Sequence, residues 1–197
     1  MIPFALSAGA VHLDAPVPAD AERVYEYCQD PLFEKYLTVP WPYSRLDASY
    51  FVGTFVPDGW ASGRELTWAI RSAPGQPLLG VVGIRLEGAG QANLGYWLGA
   101  PHRGNGLMPA AVTAVADWAF TAGGIRLLAW ECVVGNRSSM AVARKVGFSY
   151  IGSSPADIPA RDKSRPESWK GILRSSDDRV SKDGWPHAAE APPRRTP

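Results

Sequence analysis

The residues best suited to chemistry form one short run, Arg103-Gly104-Asn105-Gly106-Leu107-Met108, between an apolar stretch ending Gly95-Tyr96-Trp97-Leu98 and the start of a long helical pattern. Glycines let the chain turn tightly and bring its backbone close to a ligand. The unpaired N–H groups at a helix start, reinforced by the helix dipole, converge on one point and attract an anion. Pro109 has no N–H to offer and is tolerated in a first helical turn, so the donors fall at positions 104 to 108. That geometry suits a diphosphate. The run is neither the triphosphate loop, which needs Gly-Lys-Ser/Thr at its end, nor the G-x-G-x-x-G dinucleotide pattern. An ordinary glycine-rich strand-to-helix turn has the same composition, so the run alone supports a diphosphate site and no more.

A second signal follows one helix and one strand later, in Asn136-Arg137-Ser138-Ser139-Met140-Ala141-Val142-Ala143-Arg144-Lys145-Val146-Gly147-Phe148. The pair of segments resembles the GNAT superfamily of acyl-CoA N-acyltransferases. The first is similar to its R-x-x-G-x-(G/A) motif after a G-Y-W-L strand, and the second to the N-x-x-S-x-x-V-A-x-K-x-G-F stretch of its RimJ/RimL-like branch. Cys28-Gln29-Asp30-Pro31 and Pro40-Trp41-Pro42-Tyr43-Ser44 also resemble that branch, and the likeness runs over residues 10 to 175. The departure is Met108, where the family has Gly or Ala. A larger side chain fits there if it projects into the apolar helix stripe with Ala111 and Val112.

The resemblance implies a GNAT fold and an N-acetyltransferase. Acetyl-CoA would be its co-substrate, attacked directly by an amine in a ternary complex, with no metal. Trp97, Leu98, Gly99, the cradle Arg103 to Met108, Asn136 and Ser139 would hold the donor. Pantetheine would enter between strands 94–98 and 127–134, which splay apart and expose main-chain hydrogen-bonding groups. An N–H near Leu98 or Gly99 would stabilise the oxyanion, and Ser139 would donate to the departing sulfur. The tyrosine acid of many relatives is absent, because Ala143 stands at its place. Asn136 and Ser138 can equally be helix caps. An ammonium acceptor must lose a proton before it attacks, and Glu131 and Asp157 are the candidate bases. Arg137, Arg144 and Lys145 can meet a CoA phosphate or simply face solvent. His12, His102 and His187 offer no Cys/His or Ser/His pairing.

Around these residues the sequence alternates between helical and strand periods. Val11 to Leu13 reads as a strand. A helix opens at Pro18-Ala19-Asp20 and stops near Asp30-Pro31, and a second, announced by the capping box of Ser44 and Asp47, ends around Pro57-Asp58-Gly59. Residues 66–71, 78–86 and 92–98 read as an antiparallel meander. A long helix ends at Gly123-Gly124, a strand covers 127–134, a short helix 138–145 closes at Gly147, and strands follow at 148–152 and 168–174. The expected architecture is α/β (α+β), a mixed sheet of about six to seven strands flanked by about four helices. Residues 1–175 form one domain, and the polar, Pro-rich residues 176–197 read as a disordered tail.

The remaining composition narrows the partners. A net charge of +1 gives no reason to expect nucleic acid or membrane. Cys28 and Cys132 lack metal-site spacing and read as reduced core thiols. The opening residues lack the basic region of a secretion signal, and no stretch approaches the ~20 apolar residues of a membrane span, so the cytoplasm is expected. The resemblance implies that the acceptor side is formed by residues 36–44, 56–64 and 153–167, which are rich in Trp, Tyr, Pro and Gly without concentrated charge. A small-molecule amine, preferably small and partly apolar, or an N-terminal amine is expected as acceptor, to a monomer or homodimer. Two alternatives stand beside it: another donor such as succinyl-CoA, which would want a cation deep in the acyl pocket, and a non-catalytic acyl-CoA-binding module.

Overall fold

The computed structural model describes residues 1–186. Eight strands form one sheet: β1 (Leu6–Ala8), β2 (Val11–Asp14), β3 (Glu65–Arg71), β4 (Gly80–Gly88), β5 (Gln91–Leu98), β6 (Leu127–Val133), β7 (Ser149–Pro155) and β8 (Glu167–Arg174). Their spatial order is β1-β2-β3-β4-β5-β6-β8-β7. Only β5 and β6 run parallel; every other neighbouring pair is antiparallel. The strand added to the expected set is β1, which pairs with β2 across a turn at Gly9, held at φ +56°.

Both faces of the sheet are covered, and side-chain alternation divides the core in two. Trp68, Ile70, Val82 and Ile84 point to the face packed by α4 (Val56–Ser62), α5 (Leu107–Thr121) and α6 (Arg137–Val146). Ala69 and Val81 point to the opposite face, under α1 (Ala21–Tyr27), α2 (Pro31–Tyr36) and α3 (Arg45–Tyr50). The described residues hold six α-helical segments where about four helices were expected, and a proline marks both differences. Asp30-Pro31 is a start as well as a stop: the Asp30 carboxylate accepts from Leu32 N–H at 2.9 Å, capping α2, and Pro31 takes the first helical position, where no donor is missed. The helix capped by Ser44 also passes Pro57. Residues 51–55 form a π turn, in which the Val56 N–H reaches back to the Phe51 carbonyl and widens the turn ahead of the proline ring.

The expected tail divides. Residues 187–197 lie outside the described residues, but 176–186 pack on the domain. Trp185 is 4% exposed, its ring against Trp130 and Tyr150, and Arg179 pairs with Asp117 at 2.9 Å.

Candidate functional site

The parallel pairing of β5 with β6 ends at Leu94 opposite Trp130, although β5 continues to Leu98 and β6 to Val133. Beyond that point the strands splay and leave a gap. The polar groups facing it follow from the ladders on either side. Gly99 N–H donates to the Leu79 carbonyl at 2.9 Å. In an antiparallel ladder, residues alternate between bonding the neighbour and facing away, so Trp97 and Gly99 bond towards β4 while Tyr96 and Leu98 turn towards β6. On β6, Val134 N–H donates to the Glu167 carbonyl at 2.9 Å, so alternate residues bond β8 while Glu131 and Val133 turn towards β5. The Leu98 carbonyl is taken by Arg103 Nε at 2.9 Å and the Val133 carbonyl by Asn136 N–H at 3.0 Å. The N–H groups of Leu98, Tyr96 and Val133 are left to line the gap.

Of the two positions expected to supply an oxyanion donor, Gly99 has its N–H already bonded to β4, while the Leu98 N–H turns towards the gap. Trp97 likewise bonds towards β4 through its main chain. Its ring lies on the α1–α2 face, edge-on to Phe33 and Tyr27 with ring centres 5.5 and 6.5 Å away. Gly99 has a separate reason to be glycine: a Cβ there would sit 2.8 Å from the Tyr27 ring.

The cradle lies at the mouth of the gap. Gly104 and Gly106 adopt φ +83° and +75°, which favours glycine, and a Cβ at either would meet open space. Gly106 caps α5, whose first turn holds no acidic residue and no capping side chain, so its positive end is not offset. Asn105 is exposed and Leu107 half-buried, while Met108 is 5% exposed within the core and takes no space from the loop. Arg103 points elsewhere: its guanidinium pairs with Asp30 at 2.7 Å and holds the Leu98 carbonyl, tying the cradle to α2 and to the end of β5. His102 accepts from or donates to the Tyr27 hydroxyl at 2.6 Å, and burial, with Arg23 nearby, holds its pKa below the usual imidazole value. A groove of about 420 Å³ beside Gly106 is lined by Pro109, Ala110 and Thr113 of α5 and Lys145 and Val146 of α6.

At the narrow end of the gap stands Ser139. Asn136 caps α6 by accepting the Ser139 N–H at 3.2 Å, so the capping role is real. Trp130 Nε1 donates to Ser139 Oγ at 3.2 Å, the Tyr96 hydroxyl is 3.2 Å from the same oxygen, and it donates to the Ser139 carbonyl at 2.8 Å. Burial pushes the Tyr96 phenol well above its ordinary value. Cys132, beside them, has its thiol pushed up to about 12 by burial.

The two candidate bases meet around Lys170. The Glu131 carboxylate accepts the N–H groups of Asp157 and Ile158 at 2.9 and 3.0 Å and lies 3.7 Å from Lys170 Nζ. Asp157, largely exposed, pairs with Lys170 at 2.6 Å. The loop they anchor crosses to α2: Arg161 donates to the carbonyls of Glu34, Leu37 and Val39. Residues 36–44 and 153–167 are therefore brought together. Residues 56–64 are not, because Val56 and Trp60 pack with Trp68 on the other face. Tyr96, Trp130 and Arg161 were not singled out in the sequence. The even spacing of Leu94, Tyr96 and Leu98 carried the only hint, since it places Tyr96 on one face with two core residues.

A model described as the acetyltransferase (GNAT) domain matches residues 11–149. No curated protein matches the chain significantly. Among solved structures, the RimL ribosomal L7/L12 α-N-protein acetyltransferase in complex with coenzyme A is similar at a TM-score of 0.75 and 18% identity, over 87% of this chain and 98% of that one. The microcin C7 self-immunity acetyltransferase MccE, in complex with acetyl-CoA and AMP, reaches 0.73 at 22% identity, over 84% and 92%. Mycobacterium smegmatis RimJ in complex with CoA-disulfide reaches 0.72 at 20%, over 87% and 86%.

Proposed function

The chain belongs to the GNAT acetyltransferase family, and from that premise we propose that it transfers an acetyl group from acetyl-CoA to a small amine by direct attack in a ternary complex. The observation that carries the reading is the junction of cradle and gap. The N–H groups of the cradle would take the diphosphate, and the pantetheine amides would pair with Tyr96 and Val133 in the gap. The thioester carbonyl then arrives at the Leu98 N–H, which stabilises its oxygen as the amine attacks. The tetrahedral adduct collapses, the C–S bond breaks, and its electron pair leaves on sulfur within reach of the Ser139 hydroxyl. Asn136 meets the arm with its carboxamide nitrogen, since the oxygen caps α6. Proton removal from the acceptor ammonium is assigned to a water relay in which either Glu131 or Asp157 takes the proton, so that loss of one leaves the other, Asp157 being the member open to solvent.

A succinyl donor would need a cation at the acyl end. Arg103 is paired with Asp30 and Lys170 with Asp157, which favours acetyl. The relatives are named for a ribosomal-protein N-terminus in one case and microcin immunity in another. For this chain the bridged loop and the aromatic wall of Phe33, Tyr36 and Trp97 favour a small, partly apolar amine over an extended charged peptide. No described helix is long and apolar enough to cross a membrane, in keeping with a cytoplasmic enzyme. Thiol release over an amine panel, with acetyl- and succinyl-CoA in parallel, tests the reading. Turnover with acetyl-CoA and a small apolar amine is expected; CoA binding without turnover on any amine would overturn it.

A further inference from the structure

We propose that Tyr96 is a positioning residue for the departing thiolate and acts on it through Ser139. The proposal rests on the CoA site proposed above. Four groups surround Ser139 Oγ or answer to it: Trp130 Nε1–H, the Tyr96 hydroxyl, the Ser139 carbonyl that Tyr96 binds, and the neutral Cys132 thiol. An indole N–H only donates, so it holds one lone pair of Ser139 Oγ throughout. The two hydroxyls are rotors with one proton each. With no ligand near, Ser139 gives its proton to Tyr96, and Tyr96 gives its own to the carbonyl.

A thiolate at Ser139 changes the direction of both. The Ser139 O–H turns to sulfur, and Tyr96 turns from the carbonyl to the oxygen 3.2 Å away without a heavy atom moving. Ser139 then accepts from Trp130 and Tyr96 while it donates to sulfur, and each bond polarises the next. No proton leaves Tyr96. The electron pair of the broken C–S bond stays on sulfur, and its charge is spread along two O–H bonds. Burial keeps Tyr96 protonated, so it remains a donor. The neighbouring titratable group, Cys132, also stays neutral at working pH. A thiolate would therefore meet hydrogen-bond donors in this cluster, where charge-assisted bonds are strongest, with the Glu131 carboxylate, whose charge also acts on Cys132, as the charge that opposes it.

The test is the thiol pKa of bound CoA, read from thiolate ultraviolet absorbance in saturated complexes whose affinity is first measured by calorimetry. Tyr96→Phe keeps the ring and is expected to bind CoA within about threefold of wild type while raising the bound thiol pKa by about one unit. Ser139→Ala is expected to raise it at least as far. Adding Tyr96→Phe to Ser139→Ala is expected to raise it no further, because Tyr96 reaches sulfur only through that oxygen. The kcat of Tyr96→Phe falls about tenfold with the KM for acetyl-CoA unchanged. An unchanged thiol pKa in Tyr96→Phe with CoA bound overturns this inference and leaves the CoA site standing. Failure of the wild type to bind CoA overturns both.

Discussion

The two sides of the β5–β6 gap commit their polar groups differently. On the cradle side, the N–H groups of Tyr96, Leu98 and Val133 turn into the gap beyond the last β5–β6 pair, and Gly104 and Gly106 face open space ahead of α5. On the side of the 156–166 loop, the charged groups are already bonded to protein: Glu131 to two main-chain N–H groups, Lys170 to Asp157, Arg161 to three carbonyls. A site built from main-chain geometry is rigid before its ligand arrives, and suits a donor common to a whole family. A site whose charges satisfy one another selects by shape, and its loop can vary without disturbing the cradle.

The largest effect expected on this contrast comes from Gly106→Glu. A non-glycine residue at φ +75° costs about 1–2 kcal/mol, which a domain of this size tolerates, but the carboxylate would stand where the proposed diphosphate site lies. Acetyl-CoA affinity is expected to fall at least ~100-fold by calorimetry, about 3 kcal/mol, with the circular dichroism unchanged. Arg103→Ala comes next and sharpens the division. Because Arg103 holds Asp30 and the Leu98 carbonyl, kcat should fall about tenfold and acetyl-CoA affinity much less. A larger loss in affinity than in kcat would make Arg103 a phosphate ligand after all.

On the opposite side, Glu131→Gln replaces an acceptor of two N–H groups with one that has a single oxygen. The loss of about 1–3 kcal/mol should appear as faster hydrogen exchange in residues 156–166 and a several-fold rise in acceptor KM, with acetyl-CoA binding retained. The smallest effect is expected of Asp157→Asn, an exposed pair worth little, with kcat within about twofold of wild type at neutral pH. A collapse of kcat and loss of the pH dependence would instead make Asp157 the base in its own right.

The cradle side was the more legible in the sequence, and for a physical reason. Left-handed glycines, a strand end and a helix start are local, so Gly104, Gly106 and Gly147 mark themselves. Met108 could be assigned to the core from helical period alone. Short elements carry no period, so three-residue β1 leaves no mark in the sequence and Asp30-Pro31 shows there only as an ending. The π turn that carries a helix past Pro57, and the burial of Trp185 beyond an otherwise polar stretch, depend on packing against distant elements. So do the partners of Glu131 and Arg161, which come from residues more than twenty positions away. That Gly99 bonds to β4 and Leu98 does not is a matter of ladder register, which composition does not reveal.

Hydrogen exchange of the chain with and without CoA tests the division most directly. Protection by CoA is expected at residues 95–98, 104–108 and 131–134, with residues 156–166 unchanged. Protection confined to 156–166, or none in the gap strands despite saturating CoA, would contradict it.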